Sequence, residues 1–518
     1  MADTDQDAEI ELTFDAGEGF TLPDLRDLDG VAEVTAPAVR ELEAVYYDTD
    51  DYRLAAHGHT LRRRTGGHDA GWHLKRPRAD GFRDEIQEPL GEAGAVPPAL
   101  RRFVEVHARG ADLVPAVVLR TRRTVTELRD AAGAVLVEIA QDEVTAELPA
   151  SGGRAAEVVR WSEVEAELVR GGMPLLQAVR DRLVRAGARL SDSPSKLARA
   201  LGDRVPAEDS MTRDAGSTTK GGAVGKGRTG TTAGSALTAY LAEQVAHLLA
   251  QDPLVRADAH DAVHQMRVAS RRLRAVLAAF RPVVDADAVA PVRDELTWLG
   301  EVLGAARDSE VVRDRLLAAV ASQPAELVVG PVEQFVTETF AARYRAAHDG
   351  VLEALDSPRY FALLGTLEAL VAAPPAGPAA GDPAGKVFRK QVARTYRRVQ
   401  RQVDDARAAA GEEREELFHQ VRKSAKRARY AGEAAGEVLG GVARRYAQAM
   451  KAVQEVLGEH QDGAVARAEL RTLAEAADAA GHSTFTYGRL HGLEQAAAER
   501  ALEGFDEAWR EAKRVRLR

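Results

Sequence analysis

Apolar and polar residues alternate one for one through much of the N-terminal part of the chain. Ile10, Leu12 and Phe14 interleave with Glu9, Glu11 and Thr13, Trp72 and Leu74 with His73 and Lys75, and Val117 and Leu119 with Val118 and Arg120. Trp161, Val164 and Leu168 accompany Glu163, Glu165 and Glu167. A period of two predicts strands with one charged face. Glycine and proline clusters at 17–19, 66–67, 77–81 and 152–153 supply turns, and helices are expected near 22–27, 98–109 and 174–188. The reading is an antiparallel α+β domain over 1–202. From 235 onward the period becomes three and four, as in Leu237, Leu241, Val245, Leu248 and Leu249, which predicts an all-helical region. The stretch 203–234, rich in Gly, Thr, Ser and Ala, reads as a flexible linker. A second break at 372–385 holds four prolines and divides the helical region 235–518 into halves 235–371 and 386–518.

These halves are copies of one unit. His264-Gln-Met-Arg267-Val-Ala-Ser-Arg271-Arg272-Leu-Arg274 returns 155 residues later as His419-Gln-Val-Arg422-Lys423-Ser-Ala-Lys426-Arg427-Ala-Arg429. Glu301-Val-Leu-Gly304-Ala-Ala-Arg307-Asp308 returns as Glu455-Val-Leu-Gly458-Glu-His-Gln461-Asp462. On a helix, His264, Arg267, Arg271 and Arg274 fall within about 80° of one another, as do His419, Arg422, Lys426 and Arg429. Like charges stacked on one helix face repel, so a polyanion is the expected counterpart. Lys390, Arg394 and Arg397 form a further basic face just before the second copy.

Net charge sharpens this. The 518 residues carry a formal charge of −10, with 80 acidic and 70 basic residues, so the cationic stripes are local sites rather than a general property. Aromatic residues make up 5%, which argues against nucleic acid as the ligand, since single strands are held largely by stacking. There is no cysteine, which excludes disulfides and thiolate metal sites. With no long apolar run and no signal-peptide pattern, the expectation is a cytosolic protein with no membrane association.

In the strand domain, charges of both signs share faces. If the sheet closes with those faces inward, carboxylates can hold Mg²⁺ or Mn²⁺ while arginines and lysines hold a polyanion, the division of labour phosphoryl transfer needs. Glu9-Ile-Glu11-Leu-Thr-Phe, Tyr46-Tyr47-Asp48-Thr49, Leu61-Arg62-Arg63-Arg64, Trp72-His-Leu-Lys75-Arg-Pro77, Val137-Glu138-Ile139, Glu163-Val-Glu165-Ala-Glu167-Leu168 and Ser195-Lys196 occur in that order. Together they resemble the CYTH superfamily, the triphosphate tunnel metalloenzymes. The resemblance implies an eight-stranded antiparallel tunnel with flanking helices acting on a triphosphate. It implies metal binding by Glu9, Glu11, Glu163, Glu165 and Glu167, and phosphate binding by Arg62, Arg64, Lys75, Arg120, Arg122 and Lys196. Glu9, Glu11 and Lys75 would carry the chemistry. The family signature Glu-x-Glu-x-Lys ends here in Thr13, so one tunnel cation is missing.

The doubled His-x-x-Arg motif and the Leu-Gly-x-x-x-Asp stretches resemble the CHAD family, the conserved histidine α-helical domain. This implies a pair of pseudo-symmetric four-helix bundles that bind inorganic polyphosphate, with His264, Arg267, Arg271, Arg272, Arg274, His419, Arg422, Lys423, Lys426, Arg427 and Arg429 as ligands. Lys390, Arg394 and Arg397 would be neighbours, and Asp308 and Asp462 would orient basic residues. The expectation is a multidomain α+β protein: a metal-dependent triphosphatase, with tripolyphosphate or a related triphosphate as substrate, attached to a polyphosphate-binding module. Association with polyphosphate granules would follow. The alternatives are a polyphosphate scaffold with a degenerate tunnel, and a CYTH enzyme for a nucleoside or thiamine triphosphate.

Overall fold

A computed structural model describes residues 10–17, 19–67, 69–77, 83–92, 94–151, 154–205 and 231–515. The chain separates into two compact units, Met1–Thr218 and Thr219–Arg518. Most of the expected linker lies outside the described residues.

The first unit is built on one antiparallel sheet of ten strands: β1 (Ile10–Ala16), β2 (Glu33–Val34), β3 (Ala38–Asp48), β4 (Thr60–Thr65), β5 (Gly71–Pro77), β6 (Arg83–Glu88), β7 (Val114–Arg129), β8 (Val135–Leu148), β9 (Glu157–Leu168) and β10 (Arg189–Leu190). The order is β10-β1-β9-β8-β7-β3-β4-β5-β6, with β2 also on β7. The eight expected strands are the long ones. The two extra are two-residue pairings, Glu33 and Val34 against the end of β7, and Arg189 and Leu190 against β1. The expected helix at 22–27 is absent. Asp24 Oδ1 instead accepts the Arg26 N–H at 3.0 Å, a local bond that competes with helix formation.

Alternation decides what each face does. Phe14, Val137, Ile139, Val164 and Ala166 point outward and pack with Leu176, Val179 and Leu183 of the helix Met173–Arg185. Trp72 and Leu74 pack outward with Leu100, Val104 and Ala108 of Pro98–Ala108. On the opposite face, Tyr46, Val117, Leu119, Val144, Ala146 and Leu148 meet Leu197, Ala200 and Leu201 of the short helix Lys196–Leu201. That helix starts at Ser195, whose Oγ accepts the Ala198 N–H at 3.1 Å, and it places Lys196 at the boundary between this apolar plug and the charged part of the inner face. Asp48, in the Tyr-Tyr-Asp-Thr stretch, is buried and accepts the N–H groups of Thr49, Leu54 and Ala55 at 2.7 to 2.9 Å. Its role is to fix the turn after β3.

The second unit is all helical. Ala233–Arg256, Ala262–Ala279, Ala290–Ala321 and Val332–Leu355 in the first half correspond to Ala384–Ala408, Gly411–Ala434, Gly441–Ala479 and Phe485–Arg514 in the second. Each helix packs chiefly on its sequence neighbours. Pro358–Ala372 and the short Gly436–Leu439 are extras. The halves are joined through their stripe helices, Ala262–Ala279 against Gly411–Ala434. One core, containing Leu316, Val336, Phe340, Leu470, Leu473 and Leu490, also draws on both. The proline-rich segment between them is an ordered strap: Gly377 N–H donates to Val283 O at 2.9 Å, and Ala384 N–H to Thr231 O at 3.0 Å. A Cβ at Gly377 would lie 2.7 Å from the carbonyl oxygens of Pro282 and Val284, so only glycine permits that approach.

Candidate functional site

Eight strands of the first unit line one cavity of about 290 Å³. Its walls carry opposite charge. Glu11 of β1, Glu165 and Glu167 of β9 and Glu138 of β8 form one side, and Arg40, Arg62, Arg64, Lys75 and Arg123 from β3, β4, β5 and β7 the other. Register explains the acidic wall, because Glu11, Glu167 and Glu138 stand directly opposite one another across β1, β9 and β8. Glu85 of β6 lies on the basic side, tied to His73 Nδ1 at 2.7 Å and Lys75 at 3.3 Å. Despite burial it is held at about 2 by His73, Lys75 and Arg62.

A second cavity, lined by Glu11, Thr13, Lys75, Glu163, Glu165 and Lys196, continues beside the first. Here Asp142, Glu163 and Glu165 bring carboxylate oxygens within 4.8 Å of one another, an acidic cluster that could hold a metal ion. Lys196 Nζ enters the same cluster, 2.5 Å from Glu163 and 3.1 Å from Asp142, and also meets Glu165. Arg123 binds Asp142 through two bonds of 2.9 and 2.7 Å and contacts Glu165 as well. Burial opposes ionisation of Glu165, but Lys196 and Arg123 outweigh it and hold the carboxyl at about 2. Glu11 moves the other way, to about 7, through loss of hydration in the cavity and the charge of Glu165, although its outer edge stays open to solvent. Thr13 Oγ donates to Glu11 at 3.3 Å.

Not every expected residue faces inward. Arg62, Arg64, Lys75, Lys196, Glu11, Glu163, Glu165 and Glu167 do. Arg120 and Arg122 lie on the outer face, more than half exposed, where Arg120 pairs with Glu43 and Glu147 and Arg122 with Glu41 and Glu143. The inward arginine is Arg123. The signal was present in the strand's own parity: Val117, Leu119 and Arg123 share a face, and the first two are buried. Arg40 and Asp142 stand in none of the quoted stretches, and Glu138 stands in Val137-Glu138-Ile139 without an assigned role. Glu9 lies outside the described residues.

In the second unit the two stripes meet. Arg267 and Arg271 of one helix face Arg422 and Lys426 of the other, and Arg274 faces Arg427. The crowding shows in their protonation. Lys426 is pushed down to about 7 by burial and then by Arg271, Arg422 and Arg267, with Asp462 opposing. Burial and neighbouring cations also lower Arg274 and Arg427. His264 and His419 are lowered by burial, then by Arg307 and Lys423 respectively. Arg267 reaches Asp308 at 2.9 Å and Arg422 reaches Asp462 at 3.5 Å. Arg272 and Arg429 are drawn away to Glu433, which ties the stripe helices together. Lys390, Arg394, Arg397 and Lys423 stay exposed. Arg293 and Arg398 add their charge beside Arg427, extending this cationic surface. Arg398 belongs to the basic face of Lys390, Arg394 and Arg397 that helical spacing marks, whereas Arg293 comes from another helix and stands in no pattern of the sequence.

Family models match at both sites: a CYTH domain over residues 8–199 and a CHAD domain over 239–471. Two uncharacterized proteins of Mycobacterium tuberculosis, from strains H37Rv and CDC 1551, are 37% identical over 519 residues, covering 97% of this chain and 96% of theirs. The chain belongs to the CYTH–CHAD family. The CHAD part is similar to PptA from Streptomyces chartreusis, at 25% identity over 54% of this chain and 100% of that one, with a TM-score of 0.46. The CHAD domain of Ricinus communis covers 55% of this chain and 93% of its own, at 26% identity and a TM-score of 0.42. The CYTH part is similar to a Hippeastrum protein with a reported dominant triphosphatase activity, at 20% identity over 37% of this chain and 94% of that one, with a TM-score of 0.24. No helix among the described residues of this CYTH–CHAD chain is long and apolar enough to cross a membrane.

Proposed function

We propose that the CYTH unit is a metal-dependent triphosphatase for tripolyphosphate or a related triphosphate, and that the CHAD unit binds inorganic polyphosphate. The observation that carries the first half is the acidic wall facing a basic wall in one cavity. An all-carboxylate donor set suits a hard divalent ion, Mg²⁺ or Mn²⁺. Glu11, Glu165 and Glu167 would hold it, with Glu163 and Asp142 behind them, and its contribution would be to neutralise phosphate charge and orient water. Arg40, Arg62, Arg64, Lys75 and Arg123 would bind the non-bridging oxygens, where fixed cations stabilise charge that develops on reaction.

Purified protein with Mg²⁺ or Mn²⁺ should release phosphate from tripolyphosphate. Glu11→Gln combined with Glu165→Gln should lower that rate at least about 100-fold; a rate that survives both changes would overturn the assignment. For the groove, long-chain polyphosphate should bind and resist competition by RNA at equal phosphate concentration. Displacement by RNA would reverse the choice of ligand.

One observation favours a second reading, a tunnel that binds without turning over. Thr13 offers Glu11 a hydroxyl rather than a cation, and Lys196 already lies among the three carboxylates. Thr13→Lys separates the two: a gain in turnover supports an impaired enzyme, and inactivity of both forms supports the scaffold.

A further inference from the structure

The second landmark of the duplication, Leu-Gly-x-x-x-Asp, has a structural partner in each half. Gly304 lies on the helix Ala290–Ala321, beneath the guanidinium of Arg267 from the neighbouring stripe helix. A Cβ at 304 would stand 3.3 Å from Arg267 Nη2 and 3.7 Å from its Cζ. In the other half, a Cβ at Gly458 would stand 3.5 Å from Arg422 Nε and 3.7 Å from its Nη2. Both glycines are buried in helix interiors, where glycine is the least favourable residue after proline. One turn further along the same helix, Asp308 takes Arg267 at 2.9 Å and Asp462 takes Arg422 at 3.5 Å.

The arrangement is therefore a seat with a clip. The missing side chain lets the arginine lie flat on the adjacent helix, and the aspartate one turn away holds one edge of its guanidinium. A guanidinium fixed in this way has already lost its rotamer freedom, so an anion need not order it on binding. The Nε of Arg422 is buried with no hydrogen-bond partner, as expected where the arginine presses against a helix surface.

We propose that Gly304 and Gly458 are positioning residues that preorganise Arg267 and Arg422 for the polyanion. This rests on the reading of the groove as a polyphosphate site. The test is binding of long-chain inorganic polyphosphate to the full chain carrying Gly304→Ala, Gly458→Ala, Arg267→Ala or Arg422→Ala, and to the double variants of each pair. Alanine is the better helix former, so thermal stability should be kept or rise. Gly304→Ala should weaken binding about three- to ten-fold, and Gly458→Ala less, because its Cβ has more room. In an Arg267→Ala background, Gly304→Ala should have no further effect, a non-additivity that a general packing role would not produce. Unchanged affinity of the glycine variants, or equal losses with and without the arginine, would overturn the proposal. If Arg267→Ala and Arg422→Ala themselves leave binding unchanged, the anion site falls, and the seat with it.

Discussion

The CYTH cavity and the CHAD groove use the same cationic side chains and treat them in opposite ways. On the acidic side of the cavity buried cations meet carboxylates, so Lys196 and Arg123 are held charged far above their usual ranges and Glu165 is held at about 2, while across the cavity Arg64 is lowered by burial, Arg62 and Arg123. In the groove cations crowd cations, and Lys426 falls to about 7. The cavity is internally compensated, which suits a ligand that brings charges of both signs, such as a metal ion with a phosphate chain. The stripe surface carries an excess of positive charge that its few carboxylate partners do not balance, which suits a bare polyanion.

This contrast predicts opposite responses to loss of one cation. Arg123→Ala leaves Asp142, whose side chain is fully buried, without its two-bond partner, and should destabilise the first unit by about 3 kcal/mol in denaturant unfolding. Lys426→Met removes a repelled charge from the groove. It should raise the thermal midpoint by about 2–4 °C while weakening polyphosphate binding about ten-fold, or about 1.4 kcal/mol; a lowered midpoint would refute the crowding.

The pH response follows from the same group. The folded value of Lys426 lies below that of the unfolded chain, so between about 7 and the model-peptide lysine value near 10.4 the unfolded state binds more protons and stability rises with pH. Below about 7 the lysine is charged in both states, and the cost of the buried charge is fully present. A bound polyanion favours the charged form, so affinity should fall several-fold as pH is raised from about 6 to about 9, with proton uptake on binding. Lys426→Arg should flatten that profile in calorimetry run in buffers of different ionisation enthalpy. The smallest expected effect is that of Arg120→Ala. On the outer face it should leave triphosphate turnover unchanged, whereas loss of the inward Arg123 should not.

Much of this was legible in the chain. Period-two alternation marked the strands because one face of each had to be buried, and the inward parity of Arg62, Arg64, Lys75, Glu163, Glu165 and Glu167 followed from it. The parity of β7 was available too, but Arg120 and Arg122 stood next to Arg123, and charge alone did not say which face was inner. Only Val117 and Leu119 told them apart. The helix expected at 22–27 failed because a side chain of Asp24 competed for the backbone, a local contest that periodicity does not weigh.

By itself the sequence determined two units, the strand and helix classes, and the duplication with its two cationic stripes, because these depend on periodicity and on repeats within the chain. Only the tertiary structure decided that the stripes face each other, that Arg293 joins them, that Asp142 and Lys196 share one acidic cluster, and that Gly304 and Gly458 lie beneath arginines. Each of these depends on contacts between segments far apart in the chain. Close packing sets such contacts, and no local pattern of residues encodes them.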